Sequence, residues 1–359
     1  MIPLTPDNID RITDMIFREF NWFSDELSHA KIKEVAPPFI DYITGTKDII
    51  SYLSEVFDKY YILLSKIENI ELVNYGLQEM VYHHSKVRVN FNLIDDSKTL
   101  GNAIIRALTA YFEGLPSKAF DILQNAFLQN NKHLLNLLPQ IHSTSMCGFR
   151  VRMGNNHTKI ADIFHTPFQL RHKCASYRFS ILGYPSLYLA ESLPTALNEV
   201  RAEKDTPYCV THYKYRDEIL LVDLALVPHK MTLWERYSLL SFYPLIIACG
   251  LKVKNDTSPF RPEYVIPQLF FQIVKINMPK FAGVSYISTR SETPDFTDMR
   301  QRNYVLFVPE STQSYGYSAQ LAKKLIASAP MRIKYTDEVN KLVEYEKACA
   351  LRPKTVLDI

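Results

Sequence analysis

Three polar residues with complementary chemistry occur at short spacings in the middle of the chain. Tyr188 follows Arg178 by ten positions, and Glu199 follows Tyr188 by eleven. An arginine binds oxyanions through two parallel hydrogen bonds, and a tyrosine offers both a ring and a hydroxyl. A carboxylate stabilises positive charge that develops on a sugar. These residue types mark the surrounding block as the candidate chemical centre.

The elements predicted around these residues carry them to one place. The block Phe164–Val200 contains a polar, turn-like stretch, then the short strand SLYLA, then a helix. Ser192 is the expected N-cap of that helix, with Pro194 in its first turn, so Glu199 falls in its second turn. A turn, a strand and a helix therefore bring the arginine, the tyrosine and the glutamate together.

This block resembles the RES domain family, which is named for arginine, glutamate and serine and shows the same two spacings. Arg178-Phe179-Ser180 stands where many members have Arg-Trp-Asn. Upstream, FRVR at Phe149–Arg152 resembles the opening strand of the family. Downstream, GVSYISTR resembles the strand with the family serine, here Ser288, and NYVLF from Asn303 resembles the closing strand.

The resemblance runs from about Cys147 to Pro309 and implies an ADP-ribosyltransferase-like fold with NAD as the substrate and no metal. It implies catalytic roles for Arg178, Tyr188, Glu199 and Ser288. It implies NAD-binding roles for Arg150, Arg152, Phe179, Ser180, Arg290 and Asn303. Glu199 would hold the ribose hydroxyl as the nicotinamide–ribose bond breaks, and Arg178 with either Arg150 or Arg152 would bind the pyrophosphate.

Two positions depart from the family pattern. Ser176-Tyr177 stands where a double glycine is common, and Ser180 stands where asparagine is common. The first departure affects the turn before Arg178 and bears on the choice of acceptor.

Without the family pattern, each residue has an ordinary structural interpretation. Glu199 is then an exposed helical glutamate, Arg178 forms a surface ion pair, and Tyr188 lies at the edge of a core. Ser288 is then a simple strand serine. Arg150 and Arg152 share one face of a strand, so one can serve the site and the other a flanking ion pair.

Three functions remain open at this point. The first is a toxin or defence effector that destroys NAD, with water or phosphate as the acceptor. The second is an ADP-ribosyltransferase that modifies a macromolecule, and the third is a non-catalytic binding module. An antitoxin, a trigger protein and a homo-oligomer remain open as partners. An RNase of the HEPN type is not favoured, because Arg88 and Arg106 lack a histidine at the required spacing.

The composition narrows the class of protein. The 359 residues carry a net charge of +3 without a basic stripe, so we expect no nucleic-acid partner. The longest apolar stretch, Leu239–Leu251, is too short to span a bilayer, and the N-terminus does not resemble a signal peptide. We therefore expect a cytoplasmic protein. The five scattered cysteines predict free thiols rather than disulfides or a zinc site.

The periodicity predicts an α+β chain with two domains. Residues 1–142 are expected to form a helical N-terminal domain with a regulatory or assembly role. Residues 143–359 are expected to form the RES-type catalytic domain, a mixed β domain with a C-terminal tail. His142–Ser145 is predicted as a linker between the two domains, and Ala319–Ser328 as partly helical.

Local patterns place most of the elements. Helices are predicted from Thr5 and Pro6, along Ile49–Ile67, along Leu100–Leu115 with Ser97 as its cap, from Phe120, and at Pro194–Val200, Leu233–Cys249 and Glu263–Ile276. Strands are predicted at Gly148–Arg152, Ser186–Ala190, Tyr208–Tyr213, Ile219–Leu226, Gly283–Ser288 and Asn303–Val308.

Overall fold

Helices dominate the early part of the chain and a mixed sheet the later part, which confirms the α+β class. The computed structural model of the protein describes residues 40–66, 70–86, 88–128, 138–225, 233–290, 298–310 and 312–357. Contacts between Cα atoms divide the chain into two units. A helical unit comprises Met1–Pro139 and Pro228–Phe270, and a sheet unit comprises Gln140–Val227 and Phe271–Ile359.

The described residues contain eleven α-helices. They are α1 (Ile40–Thr44), α2 (Ile49–Leu64), α3 (Ile70–Ser85), α4 (Leu93–Phe112), α5 (Pro116–Leu128), α6 (Ile160–Ile163), α7 (Leu193–Glu199), α8 (Leu233–Gly250), α9 (Val265–Asn277), α10 (Ala319–Lys323) and α11 (Val339–Leu351). None of these helices is long and apolar enough to cross a membrane.

Amphipathic helices build the helical unit. Leu100, Ile104 and Leu108 recur on the buried face of α4, as the periodicity predicts. The predicted cap of this helix is wrong. The Asn92 side chain caps the helix by accepting a hydrogen bond from Asp95 N, and Ser97 is buried inside the helix. The helix predicted from Thr5 and Pro6 lies outside the described residues.

The segment Pro228–Phe270 belongs to the helical unit, whereas the sequence analysis placed it in the catalytic domain. Every residue of its helix α8 from Tyr237 to Cys249 is buried, and a helix that is buried all round must be enclosed by other elements. Tyr60 donates a hydrogen bond to the Leu240 carbonyl at 2.7 Å, and the Phe127 and Phe242 rings stack 5.9 Å apart. These contacts give α8 the enclosure that its composition requires.

The sheet unit is built on one mixed sheet. Its ten described strands are β1 (Gln140–Ser143), β2 (Cys147–Met153), β3 (Leu187–Ala190), β4 (Pro207–Tyr215), β5 (Ile219–Leu224), β6 (Gly283–Ile287), β7 (Arg302–Leu306), β8 (Leu325–Ser328), β9 (Met331–Lys334) and β10 (Lys354–Val356). The order is β1–β5–β6–β7–β3–β2–β4–β8–β10, with β9 paired to β4. Only β5 and β6 form a parallel pair among these strands.

Two predictions at the borders of the sheet had different outcomes. The expected linker His142–Ser145 was wrong in its first half, because His142 and Ser143 belong to strand β1 and pair antiparallel with β5. The segment Ala319–Ser328 is partly helical, as predicted: α10 occupies its first half, and the chain then continues as β8, which pairs with β4 and β10. Neither β1 nor β8 was predicted, because each forms by pairing with a distant strand.

Helix α7 covers one face of the sheet. Leu193, Ala196 and Leu197 pack against Phe149 and Val151 of β2 in a buried cluster. A second cluster lies on the opposite face and includes Phe164, Leu187, Leu189, Tyr213 and Tyr304. All five cysteines are free thiols, and all are buried except half-buried Cys147.

Candidate active site

Helix α7 is held rigidly at its first turn. The Ser192 side chain accepts a hydrogen bond from Thr195 N, and Pro194 occupies the first turn, as predicted. The Ser192 and Thr195 hydroxyls also both donate to the Arg300 carbonyl at 2.8 Å. The start of the helix is therefore fixed to the segment that leads into β7, and Glu199 ends the same helix.

The Glu199 carboxylate is the centre of a polar network. Its Oε1 atom accepts hydrogen bonds from Ser288 Oγ and from Asn303 Nδ2, each at 2.6 Å. Its Oε2 atom lies 3.4 Å from Arg290 Nε, and Arg290 N donates to Ser288 Oγ at 3.2 Å. The side chain of Glu199 is still 30% exposed. The network therefore orients the carboxylate and leaves part of it open.

Strand pairing explains why these donors meet the glutamate. Tyr286 of β6 lies opposite Asn303 of β7, and Ser288 N extends the pairing by donating to the Gln301 carbonyl at 2.8 Å. Side chains alternate along a strand, so Tyr286, Ser288 and Asn303 share one face. Gly283 allows the close approach of β6 to β7, because a Cβ atom there would lie 2.0 Å from the Val305 carbonyl oxygen.

Arg178 lies at the tip of a tight hairpin. Tyr177 and Ser180 exchange two main-chain hydrogen bonds of 3.1 and 3.2 Å, which leaves Arg178 and Phe179 at the turn. Arg178 is only 5% exposed, and its Nη2 atom donates to Thr289 Oγ1 at 2.9 Å. Thr289 directly follows Ser288, so the structure joins Arg178 to the Glu199 network through neighbouring residues.

Tyr188 supports this hairpin. Its hydroxyl accepts from Phe179 N at 3.2 Å and forms a hydrogen bond with Ser180 Oγ at 3.0 Å. The Phe179 ring packs on Tyr286 at 4.8 Å, and the half-exposed Tyr177 ring meets Tyr188 edge-on at 5.8 Å. The contacts of the Tyr188 hydroxyl are therefore with the hairpin that carries Arg178.

Arg150 and Arg152 stand apart from the glutamate. Arg150 Nη1 donates to the Tyr188 carbonyl at 2.8 Å, and Arg152 Nη2 donates to the Phe164 carbonyl at 3.3 Å. Both arginines alternate along β2 with Phe149 and Val151, which pack on the α7 side of the sheet. Burial and the neighbouring Arg152 charge lower the pKa of Arg150 to about 10.

The structure also shows polar residues that the sequence analysis missed. Thr289 is the partner of Arg178, and its position in the SerThrArg run next to Ser288 could have indicated it. Asp223 and Arg302 form a buried ion pair at 3.3 Å, with Ser285 donating to the aspartate at 2.9 Å. Burial raises the pKa of Asp223. The only signal for this pair was a charged residue within, or next to, an otherwise apolar strand.

Comparison with known proteins yields one informative relative. A protein of Bacillus subtilis (strain 168) named "Putative toxin YopC" is 25% identical to this chain over 312 residues. The alignment covers 80% of this chain and 66% of the relative, so the chain spans just under two thirds of that protein. No family model matches the chain, and no solved structure matches it significantly. Within the described residues, no group of three or more histidine, cysteine or acidic side chains could hold a metal ion.

Proposed function

We propose that the sheet unit is the catalytic part of an enzyme that consumes NAD by cleaving its nicotinamide–ribose bond. The observation that carries this proposal is the Glu199 carboxylate, which three side chains orient while 30% of its own side chain stays exposed. A buried structural carboxylate has no need of an open edge. A carboxylate that receives a substrate does.

The chemistry suits this geometry. When the bond between ribose C1′ and the nicotinamide nitrogen breaks, the electron pair leaves with nicotinamide, which departs as a neutral molecule. Positive charge then develops on the ribose ring, as in glycoside hydrolysis. The exposed edge of Glu199 would hold the ribose hydroxyl and stabilise that charge. Ser288 and Asn303 would keep the carboxylate in place, so little reorganisation would accompany the step.

The cations near Glu199 suit the rest of the substrate. The Arg290 Nε atom lies 3.4 Å from Glu199 Oε2. The Arg178 guanidinium donates to Thr289, which directly follows Ser288 of the Glu199 network. Guanidinium groups bind phosphate oxygens in a bidentate way. The half-exposed Tyr177 ring offers an aromatic surface beside the hairpin. Together these groups fit a dinucleotide with two phosphates and flat bases.

We further propose that this activity makes the protein a toxin. The support is the 25% identical relative whose name describes a toxin. The acceptor would be water or inorganic phosphate in bulk NAD destruction. Two alternative functions stand beside NAD destruction. The first is transfer of ADP-ribose to a macromolecule, and the second is non-catalytic binding.

The test is incubation of the full chain with NAD, with and without phosphate, followed by mass analysis of the products. We expect free nicotinamide together with ADP-ribose or its phosphorylated form. Glu199→Gln is the inactive control, and Glu203→Gln, at an exposed position beyond the helix, is the matched active control. NAD that stays intact with the wild-type chain would overturn the proposal. Nicotinamide release that requires added cell extract would instead favour transfer to a macromolecule.

A further inference from the structure

The C-terminal helix α11 packs on α7, the helix that carries Glu199. Leu342 and Cys349 of α11 belong to the same buried cluster as Leu193 of α7. Leu342, Glu346 and Cys349 are spaced four and three residues apart, so they share one face of α11. Glu346 therefore lies on the face of α11 that meets α7.

We propose that Glu346 is a positioning residue for the Glu199 carboxylate. Its Oε2 atom accepts a hydrogen bond from Leu193 N, in the first turn of α7, at 2.9 Å. Both of its carboxylate oxygens also accept from Arg300 Nη2, at 3.1 Å each. Glu346 lies beyond Pro309, where the resemblance to the RES domain ends, so that resemblance assigns it no role.

The two contacts of Glu346 hold two chain segments that meet at Glu199. Leu193 begins α7, and Glu199 ends it. Arg300 leads into β7, where Asn303 donates to Glu199 Oε1 at 2.6 Å. One carboxylate on α11 therefore joins the segment with the glutamate to the segment with its amide donor.

A helix as short as α7 depends on contacts of this kind. It has seven residues, whereas isolated helices shorter than about 12–15 residues are marginal in water. The place of α7 on the sheet therefore comes from packing and from bonds to its first turn. Leu193 N is one of the main-chain donors that a helix leaves without an internal acceptor, and Glu346 supplies that acceptor.

The two contacts of Glu346 differ in weight. The Arg300 side chain is 54% exposed, and ion pairs at exposed positions contribute little. The bond to Leu193 N acts on the helix itself, and the Glu346 side chain is only 19% exposed. We therefore expect the acceptor oxygen, rather than the ion pair, to hold α7. Glu346→Gln keeps such an oxygen, and Glu346→Ala does not.

A shift of α7 would misplace the Glu199 carboxylate without removing it. A misplacement of about 1 Å at a reacting centre can lower a rate about a hundredfold. Arg178, on its own hairpin, lies outside α7, so binding of the rest of the substrate should change little. This link to a rate rests on the proposed cleavage of NAD, whereas the hold on α7 itself does not.

The first measurement is NAD turnover by folded, full-length variants at saturating NAD. We expect Glu346→Ala to lower kcat about tenfold to a hundredfold with little change in KM. Glu346→Gln should restore kcat to within a few-fold of the wild-type value. Glu344→Ala is the matched control, because Glu344 is an exposed carboxylate of the same helix, and it should keep the wild-type kcat. A role limited to stability would lower the Tm of Glu346→Ala and leave kcat unchanged.

The second measurement is amide hydrogen exchange along α7 in the same variants, without NAD. We expect Glu346→Ala to speed this exchange about tenfold or more, and Glu344→Ala to leave it unchanged. Unchanged exchange in Glu346→Ala overturns the proposal. So does a kcat of folded Glu346→Ala within a few-fold of wild type, or a Glu346→Gln variant that restores none of the loss.

The two measurements separate this inference from the proposed function. A wild-type chain that leaves NAD intact would overturn the proposed function, and the exchange data would then decide alone whether Glu346 holds α7. A wild-type chain that cleaves NAD, combined with a fully active Glu346→Ala variant, would overturn the positioning role and leave the proposed function standing.

Discussion

The helical unit and the sheet unit both contain acidic side chains held by hydrogen bonds, but they hold them differently. In the helical unit, Asp96 and Glu263 are 3% and 2% exposed. Tyr237 donates to Asp96 at 2.9 Å, and Tyr42 donates to Glu263 at 3.0 Å. Burial first, and then the adjacent carboxylate, raise the pKa of both tyrosines. In the sheet unit, Glu199 is held by a serine, an asparagine and an arginine and stays partly exposed.

The contrast separates a structural carboxylate from one that can receive a substrate. A tyrosine hydroxyl in a helical core satisfies an acid and fills space at the same time. Small hydroxyl and amide donors orient an acid without covering it. We therefore expect the acidic side chains of the helical core to serve stability and Glu199 to serve the proposed chemistry, because their neighbours differ.

The largest expected effect is on Glu199. Glu199→Gln keeps the shape of the side chain but removes the charge that would stabilise the developing positive charge on the ribose. We expect kcat for NAD cleavage to fall about 10²–10³-fold with little change in KM, since the interaction is made mainly in the transition state. Steady-state kinetics together with circular dichroism would check this. Turnover within a few-fold of the wild-type rate would place Glu199 with the structural acids.

The next effect concerns the helical unit. Tyr237→Phe removes the hydroxyl that donates to buried Asp96, and we expect the free energy of unfolding to fall by about 1.5–3 kcal/mol. The kcat of the folded variant should stay at the wild-type value. Urea denaturation measures the first quantity and NAD turnover the second. Tyr75→Phe is the control, because Tyr75 is an exposed tyrosine of the same unit. A large loss of kcat with an unchanged free energy of unfolding would contradict the purely structural role of the Tyr237–Asp96 pair.

The smallest effect is the contribution that a single histidine makes, per pH unit, to the pH dependence of stability. Burial lowers the pKa of His165 and of His212 to about 4, from an ordinary value of 6.5. Between those values the unfolded chain binds a proton at each site and the folded chain does not. Stability should therefore fall as the pH drops from 6.5 towards 4, by about 1.4 kcal/mol per pH unit for each histidine.

His212→Phe tests this dependence, because His212 packs against the Phe149 ring at 4.6 Å and phenylalanine suits that position. The variant should lose one of the two contributions, so its stability should fall less steeply over the same pH range. Denaturation midpoints at several pH values would measure the slope. An unchanged slope would show that His212 does not contribute.

The local part of the site could be predicted from the sequence. Ser192 and Pro194 define the start of α7, and the helix length then sets the position of Glu199. The strand predictions were accurate to within two residues at most ends, for example Gly148–Arg152 against the observed Cys147–Met153. These features depend on neighbours in the chain, and short-range patterns describe such neighbours well.

The long-range part could not be predicted. The partnership of Arg178 with Thr289 spans 111 positions, and no local pattern encodes it. No local pattern predicts that α8 belongs to the helical unit either. A chain shortened to begin near Ser145 would therefore keep Pro228–Phe270 but lose Met1–Pro139, the other part of that unit. The functional roles of Arg178, Tyr188, Glu199 and Ser288 stay predictions until kinetics test them.

The sequence distance between Glu199 and its partners also sets the order of events during synthesis. Ser288 follows the glutamate by 89 positions and Asn303 by 104. At ordinary elongation rates the ribosome needs about 5–20 s to add the intervening residues. A nascent chain therefore exposes Glu199 for that time without the two side chains that orient it. The carboxylate reaches its final orientation only after Asn303 has left the ribosome.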